Sequence, residues 1–253
     1  MTRTWDRPAQ RATRLFTGLV LFGLALALLV KAHLGLDPWT VFTQGLSQIT
    51  GLTLGQVTVV ISVVVLVLWI PLRQRPGLGT VANALLVGPV LDMGLALIPT
   101  PHQLALRVLF LITAIPAIAV ATGLYVGAGW GPGPRDGLMT GLAALGIPVF
   151  VSRTAIEITV LVVGWVLGGS VGAATVLFAA TIGPLVSRAL PQLALPANQN
   201  QPQPPSPVHL NRRTFNGLNR RTLYGNEHGT GCLARSGPSQ VTTVVVHSTD
   251  NRA

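Results

Sequence analysis

Apolar residues in this chain neither alternate nor mark one stripe of a helix; they fill whole stretches. Six of these, residues 15–36, 52–72, 78–98, 104–128, 149–168 and 171–190, match the roughly 20 residues a helix needs to cross a hydrocarbon core. Two shorter stretches, 38–49 and 134–145, are moderately apolar and each opens on a proline, which suits the first turn of a helix. Asp37 precedes the first of these prolines and can cap that helix through its carboxylate. The pattern predicts an all-α, polytopic membrane domain over residues 15–190. It has six transmembrane helices, with a short interrupted helix after the first span and another after the fourth.

The two halves repeat one another. At an offset of 96 residues Gly35 matches Gly131, Pro38 matches Pro134, Thr58 matches Thr154 and Trp69 matches Trp165. At an offset of 95, Gly77 matches Gly172, Thr80 matches Thr175, and Gly88-Pro89 matches Gly183-Pro184. Shared apolar bias does not explain matched glycines, prolines and tryptophans, so the pattern reads as a duplication. Repeat one covers about 15–98 and repeat two about 104–190. With three spans in each, the second repeat enters the membrane from the opposite face, giving an inverted repeat.

Composition sharpens the class. Charged residues are only 9% of the 253, against about 25% in an ordinary soluble domain, which excludes a typical cytosolic enzyme. The formal charge of +10 does not point to nucleic acid, because ten of the seventeen cations flank the apolar middle. Four precede residue 15 and six follow residue 190, the distribution of cytoplasmic segments. The termini are therefore expected in the cytoplasm, with Lys31 and Arg107 the cations left toward the outside. Residues 1–14 form a basic cytoplasmic segment, and the first span lacks a cleavage signal. From residue 191 the composition turns polar and basic, and 191–253 reads as a disordered cytoplasmic tail. It is either attracted to anionic lipid, at about 1 kcal/mol per cation near the surface, or simply solvated. The single cysteine, Cys232, offers neither an internal disulfide nor a Cys-based metal site.

No catalytic motif, cofactor signature or metal-ligand cluster stands in the sequence, so neither enzyme nor cofactor is expected. The charges at membrane depth remain, and such residues usually face a cavity or a partner. Glu157 lies about two turns into the fifth span, with Arg153 four residues earlier on the same face, an intrahelical pair or a substrate or proton site. Asp92 lies in the third span with no helical partner. Arg135 and Asp136 follow Pro134 at the start of the second short helix, where unpaired N–H groups favour an anionic group. Asp37 and Pro38 are their counterparts in the first repeat. The plainer reading makes Arg135 a topology determinant and Trp39 an interfacial anchor.

Three strings carry a resemblance: Gly131-Pro-Gly-Pro-Arg-Asp-Gly-Leu-Met139, Arg75-Pro-Gly-Leu-Gly-Thr80 and Leu36-Asp-Pro-Trp39. Together they resemble the YczE/YyaS/YitT-type bacterial integral membrane proteins, closest to the YczE branch, over about residues 12–190. The resemblance implies a multi-pass protein of the bacterial cytoplasmic membrane and carries no catalytic residues with it. Two functions are then open. One is a small secondary transporter or channel-like carrier for a polar or anionic substrate, sited between the repeats. The other is a non-transporting scaffold that supports a membrane or biosynthetic system. The lipid bilayer is the expected partner, and a homo-oligomer is compatible with either reading. Convergence of Asp37, Arg135, Asp136 and Glu157 on one cavity favours the carrier.

Overall fold

A computed structural model describes residues 8–195; the expectations for 1–7 and for the tail beyond residue 195 lie outside the described residues. Among these the chain is all-helical: α1 (Pro8–Ala32), α2 (Pro38–Thr50), α3 (Leu54–Leu68), α4 (Leu78–Leu97), α5 (Leu104–Gly127), α6 (Pro134–Ala144), α7 (Val149–Val166) and α8 (Ala173–Leu193). Helices α1, α4, α5 and α8 are long and apolar enough to cross a membrane. So is the pair of α2 and α3 taken together, bent by 112° at the break. Large apolar side chains point outward on several helices, among them Val67, Ile112, Phe150, Val166 and Val176. That surface suits lipid, since hydrocarbon rather than water covers it.

Two helices run well past the spans read from the sequence, and for the same reason. Helix α1 begins seven residues before the predicted span, so Arg11 and Arg14 lie within it. The Arg11 guanidinium donates to the Ala128 carbonyl at 2.8 Å, and that of Arg14 to the Leu193 carbonyl at 2.8 Å. Each closes an unpaired carbonyl beyond or within the last turn of a neighbour, α5 or α8. The same clasp holds α8 in helix three residues past its predicted end. At the opposite end of the bundle, Arg107 Nε donates to Ala32 O at 2.7 Å and its Nη2 to His33 O. Arg107 therefore caps α1 and is more than an outward-lying cation. Lys31 reaches past the end of α1 to Thr100 Oγ1, 3.1 Å away, as a snorkelling lysine would.

Helix α1 packs on α4 and α5, and α5 packs on α8. The two peripheral helices are held by the short ones or by a neighbour: α7 against α2 and α6, α3 against α4 and α6. Small residues permit these close approaches, which supply the packing that holds membrane helices together. A Cβ on Gly164 of α7 would lie 2.4 Å from Phe42 Cα in α2.

The loops after α1 and after α5 are built alike. Gly35 and Gly131 take φ angles of 114° and 121°, which L side chains rarely adopt. The residue before each offers its carbonyl to a helix start. Leu34 O accepts from Ala174 N at 2.9 Å, and Trp130 O from Gly79 N at 2.8 Å. Within those starts, Gly172 N donates to Thr175 Oγ1 at 3.2 Å, and Gly77 N to Thr80 Oγ1 at 3.3 Å. The loop after α1 is thus joined to the start of α8, and the loop after α5 to the start of α4.

Candidate functional site

Each short helix begins inside the protein. Pro38 opens α2, and the Asp37 carboxylate accepts from Thr40 N at 3.3 Å, the cap its position predicted. Asp37 is only 1% exposed. Pro134 opens α6, whose carbonyl accepts from Trp69 Nε1 at 3.1 Å. The Trp69 ring lies so close to α6 that a Cβ on Gly137 would stand 1.8 Å from it, which is why that position carries no side chain.

The two helix starts meet through side chains. Arg135 Nη1 lies 3.5 Å from Asp37 Oδ2, joining residues 98 apart in the chain. The same guanidinium sits 5.5 Å from the Trp39 ring and 5.7 Å from the Phe22 ring, within cation–π range of both. Next to it, Asp136 Oδ2 accepts from the Tyr125 hydroxyl at 3.1 Å. Tyr125 in turn meets Phe22 edge to face, ring centroids 5.8 Å apart.

A cavity of about 100 Å³ opens beside this cluster, near the middle of α1 and α8 and along the C-terminal half of α5. Asp37, Pro38, Arg135, Asp136, Arg153 and Glu157 all line it. Arg153 Nε donates to Glu157 Oε1 at 3.0 Å, the i, i+4 pair expected from spacing. Six of the seven residues singled out in the sequence therefore come together.

Asp92 does not join them. Its Oδ1 accepts from Gly55 N at 2.7 Å and its Oδ2 from Thr53 Oγ1 at 2.5 Å. It serves the first turn of α3, where Thr53 and Gln56 already form a capping box. The partner that was missing along its own helix lies on the neighbouring one.

Two buried polar atoms of the cluster have no hydrogen-bond partner among the described residues: Asp37 Oδ1 and Trp39 Nε1. Buried polar atoms are almost always satisfied, so an orphaned acceptor and donor two residues apart at a helix start stand out. No group of three or more His, Cys, Asp or Glu residues among those described could hold a metal ion.

Sequence reasoning passed over Phe22, Asn83 and Tyr125, which also line the cavity. Asn83 and Tyr125 had a signal, each a polar group inside an apolar span. Phe22 had none, being one apolar residue among many. Trp39 is 7% exposed and faces the cluster, not an interface.

Residues 9–190 match the profile described as "Family of unknown function (DUF6198)". An "Uncharacterized protein" of Haemophilus influenzae is 36% identical over 73% of this chain and 85% of its own length. The "Uncharacterized membrane protein YczE" of Bacillus subtilis is 33% identical over 72% of this chain and 86% of its own. "Uncharacterized protein YyaS" of the same organism is 26% identical over 63% of this chain and 82% of its own. No solved structure matches the chain.

Proposed function

This helical membrane protein belongs to the DUF6198 family, and we propose that it is a small secondary carrier whose substrate site is the cavity between α2 and α6. The observation that carries the reading is the convergence of Asp37, Arg135, Asp136, Arg153 and Glu157 on that one cavity. Charges at mid-bilayer depth cost about 2.5–3.5 kcal/mol each on insertion scales. A scaffold has no reason to gather five of them around a space. Broken helices whose starts face a central site are a recurring device of carriers built from inverted repeats.

The carrier crosses the membrane six times, through α1, α3, α4, α5, α7 and α8, with α2 and α6 the short helices that precede α3 and α7. Its halves are inverted repeats. The terminal clasps support this: α1 and α5, which occupy matching places in the two halves, run in opposite directions. The loop hydrogen bonds at Leu34 and Trp130 support it too, since they recur at opposite ends of the bundle. Both termini lie in the cytoplasm of a bacterial cell, and the chain performs no covalent chemistry on its substrate.

Purified full-length protein in proteoliposomes, screened for uptake of radiolabelled small polar solutes, tests the reading. At least one solute should enter in a saturable manner, and Asp37→Asn should abolish that entry while leaving the amount of folded protein unchanged. Entry equal to empty liposomes for every solute favours the scaffold instead.

A further inference from the structure

The cavity holds an uneven set of charges. Its lining has three carboxylates, Asp37, Asp136 and Glu157, and two guanidinium groups, Arg135 and Arg153, for a formal balance of −1. Arg153 is committed to Glu157 at 3.0 Å. Arg135 spans to Asp37 at 3.5 Å, a longer contact than a good charge-assisted hydrogen bond. Asp136 has a hydroxyl partner, Tyr125, and no cation within ion-pair distance among the described residues. An anionic ligand would deepen this excess, whereas a cationic one would remove it.

The place where a cation would sit can be read from what sits there now. Two aromatic faces, Phe22 and Trp39, and the buried Asp37 carboxylate surround the Arg135 guanidinium. Aromatic rings with a carboxylate form the arrangement that recognises ammonium groups. Asp37 Oδ1 adds an acceptor that Arg135 leaves unused. Arg135 has an alternative on the same cavity, the Asp136 carboxylate, whose partner among the described residues is the Tyr125 hydroxyl.

We propose that Phe22, Trp39 and Asp37 form a binding site for a small amine, which Arg135 occupies as a tethered stand-in until the substrate's cationic group displaces it. This rests on the carrier reading and names its substrate class. A cavity of about 150 Å³ takes one benzene, so this one, at about 100 Å³, takes a ligand of about four heavy atoms. Trimethylammonium, with four heavy atoms, is of that size, and methylammonium, with two, is smaller. With Arg135 standing in, Asp37 keeps a cationic partner in the unloaded site, so the empty carrier can reorient without leaving that carboxylate unpaired. Arg135→Gln would then bind amine yet fail to return empty.

Calorimetric titration of the full chain in nanodiscs with methylammonium and trimethylammonium, and with acetate as the anionic control, tests the proposal. Both amines should bind saturably and acetate should not. Trp39→Leu should weaken amine binding by roughly 3- to 30-fold, the worth of one cation–π contact, whereas Trp39→Phe should weaken it less. Arg135→Gln should bind amine at least as tightly as the parent, because the competitor is gone. In liposomes this variant should retain exchange of labelled for unlabelled amine and lose net uptake. Loss of amine binding in Arg135→Gln, with a normal melting transition, overturns the proposal, as does equal binding in Trp39→Leu and the parent. Binding or uptake of acetate or a neutral solute without amine binding also overturns it, while leaving the carrier intact. Absence of both binding and uptake for every solute removes the carrier reading itself.

Discussion

Replacing Asp92 separates a structural carboxylate from those of the cavity. Asp92 belongs to α4, but both of its hydrogen bonds go to the start of α3, at 2.7 Å from Gly55 N and 2.5 Å from Thr53 Oγ1. Hydrogen bonds to charged groups contribute about 1.5–3 kcal/mol each, and the more exposed bond to Thr53 belongs at or below the lower end. Asp92→Ala should therefore cost about 3 kcal/mol. In a domain of this size each kcal/mol shifts the melting temperature by roughly 2–4 °C, so a fall of about 6–12 °C is expected. Asp92→Asn keeps an acceptor for Gly55 N and offers Thr53 Oγ1 a donor, so it should cost only about 1 kcal/mol. Thermal unfolding of detergent-purified protein, followed by intrinsic tryptophan fluorescence, gives both values. Solute binding and uptake at low temperature should match the parent in both variants. An Asp92→Asn protein that melts normally yet no longer transports would refute this reasoning and place Asp92 in the site.

Gly137→Ala should lower the melting temperature sharply, since its Cβ would stand 1.8 Å from the Trp69 ring, and Trp69→Leu in the same chain should recover part of the loss. Arg107→Gln should also destabilise, by about 1–3 kcal/mol, because it leaves the Ala32 and His33 carbonyls at the end of α1 unpaired; the exposed Arg75→Gln should be silent. Ending the chain after Leu195 should leave melting unchanged, whereas ending it after residue 190 removes the Leu193 carbonyl that holds Arg14 and should destabilise. Reporter fusions after Arg75 and after Ala144 should both report cytoplasm and one near Pro101 the outside; an outside signal after Ala144 would remove the inverted repeat.

The helices were legible because each rests on a local signal. Long apolar runs gave α1, α4, α5 and α8, and Asp37-Pro38 gave the capped start of α2. The i, i+4 rule alone brought Arg153 to Glu157. Asp37 and Arg135 are 98 residues apart, and only the matching places of the two short helices in the duplication linked them beforehand. What stayed hidden depends on contacts between helices. Arg11, Arg14 and Arg107 looked like charges sorted by membrane side, yet each closes a backbone carbonyl of another element. Asp92 looked unpartnered because its partners lie 37 and 39 residues away. Phe22 carries no mark in the sequence that separates it from the apolar residues around it, and only the fold turns its ring toward Arg135.

The central claim is that the cavity beside Asp37 and Arg135 opens to each side of the membrane in turn. It is tested most directly by thiol accessibility, with no need to know the substrate. Cys232, the chain's one cysteine, is replaced by serine, and Met139→Cys then places a single thiol in the cavity lining. Met139 is buried and its side chain makes no hydrogen bond among the described residues, so the exchange should disturb packing little. A small membrane-impermeant thiol reagent is applied to intact cells and, separately, to inverted membrane vesicles. A carrier predicts labelling from both sides. Labelling from one side only, or from neither, would contradict the account.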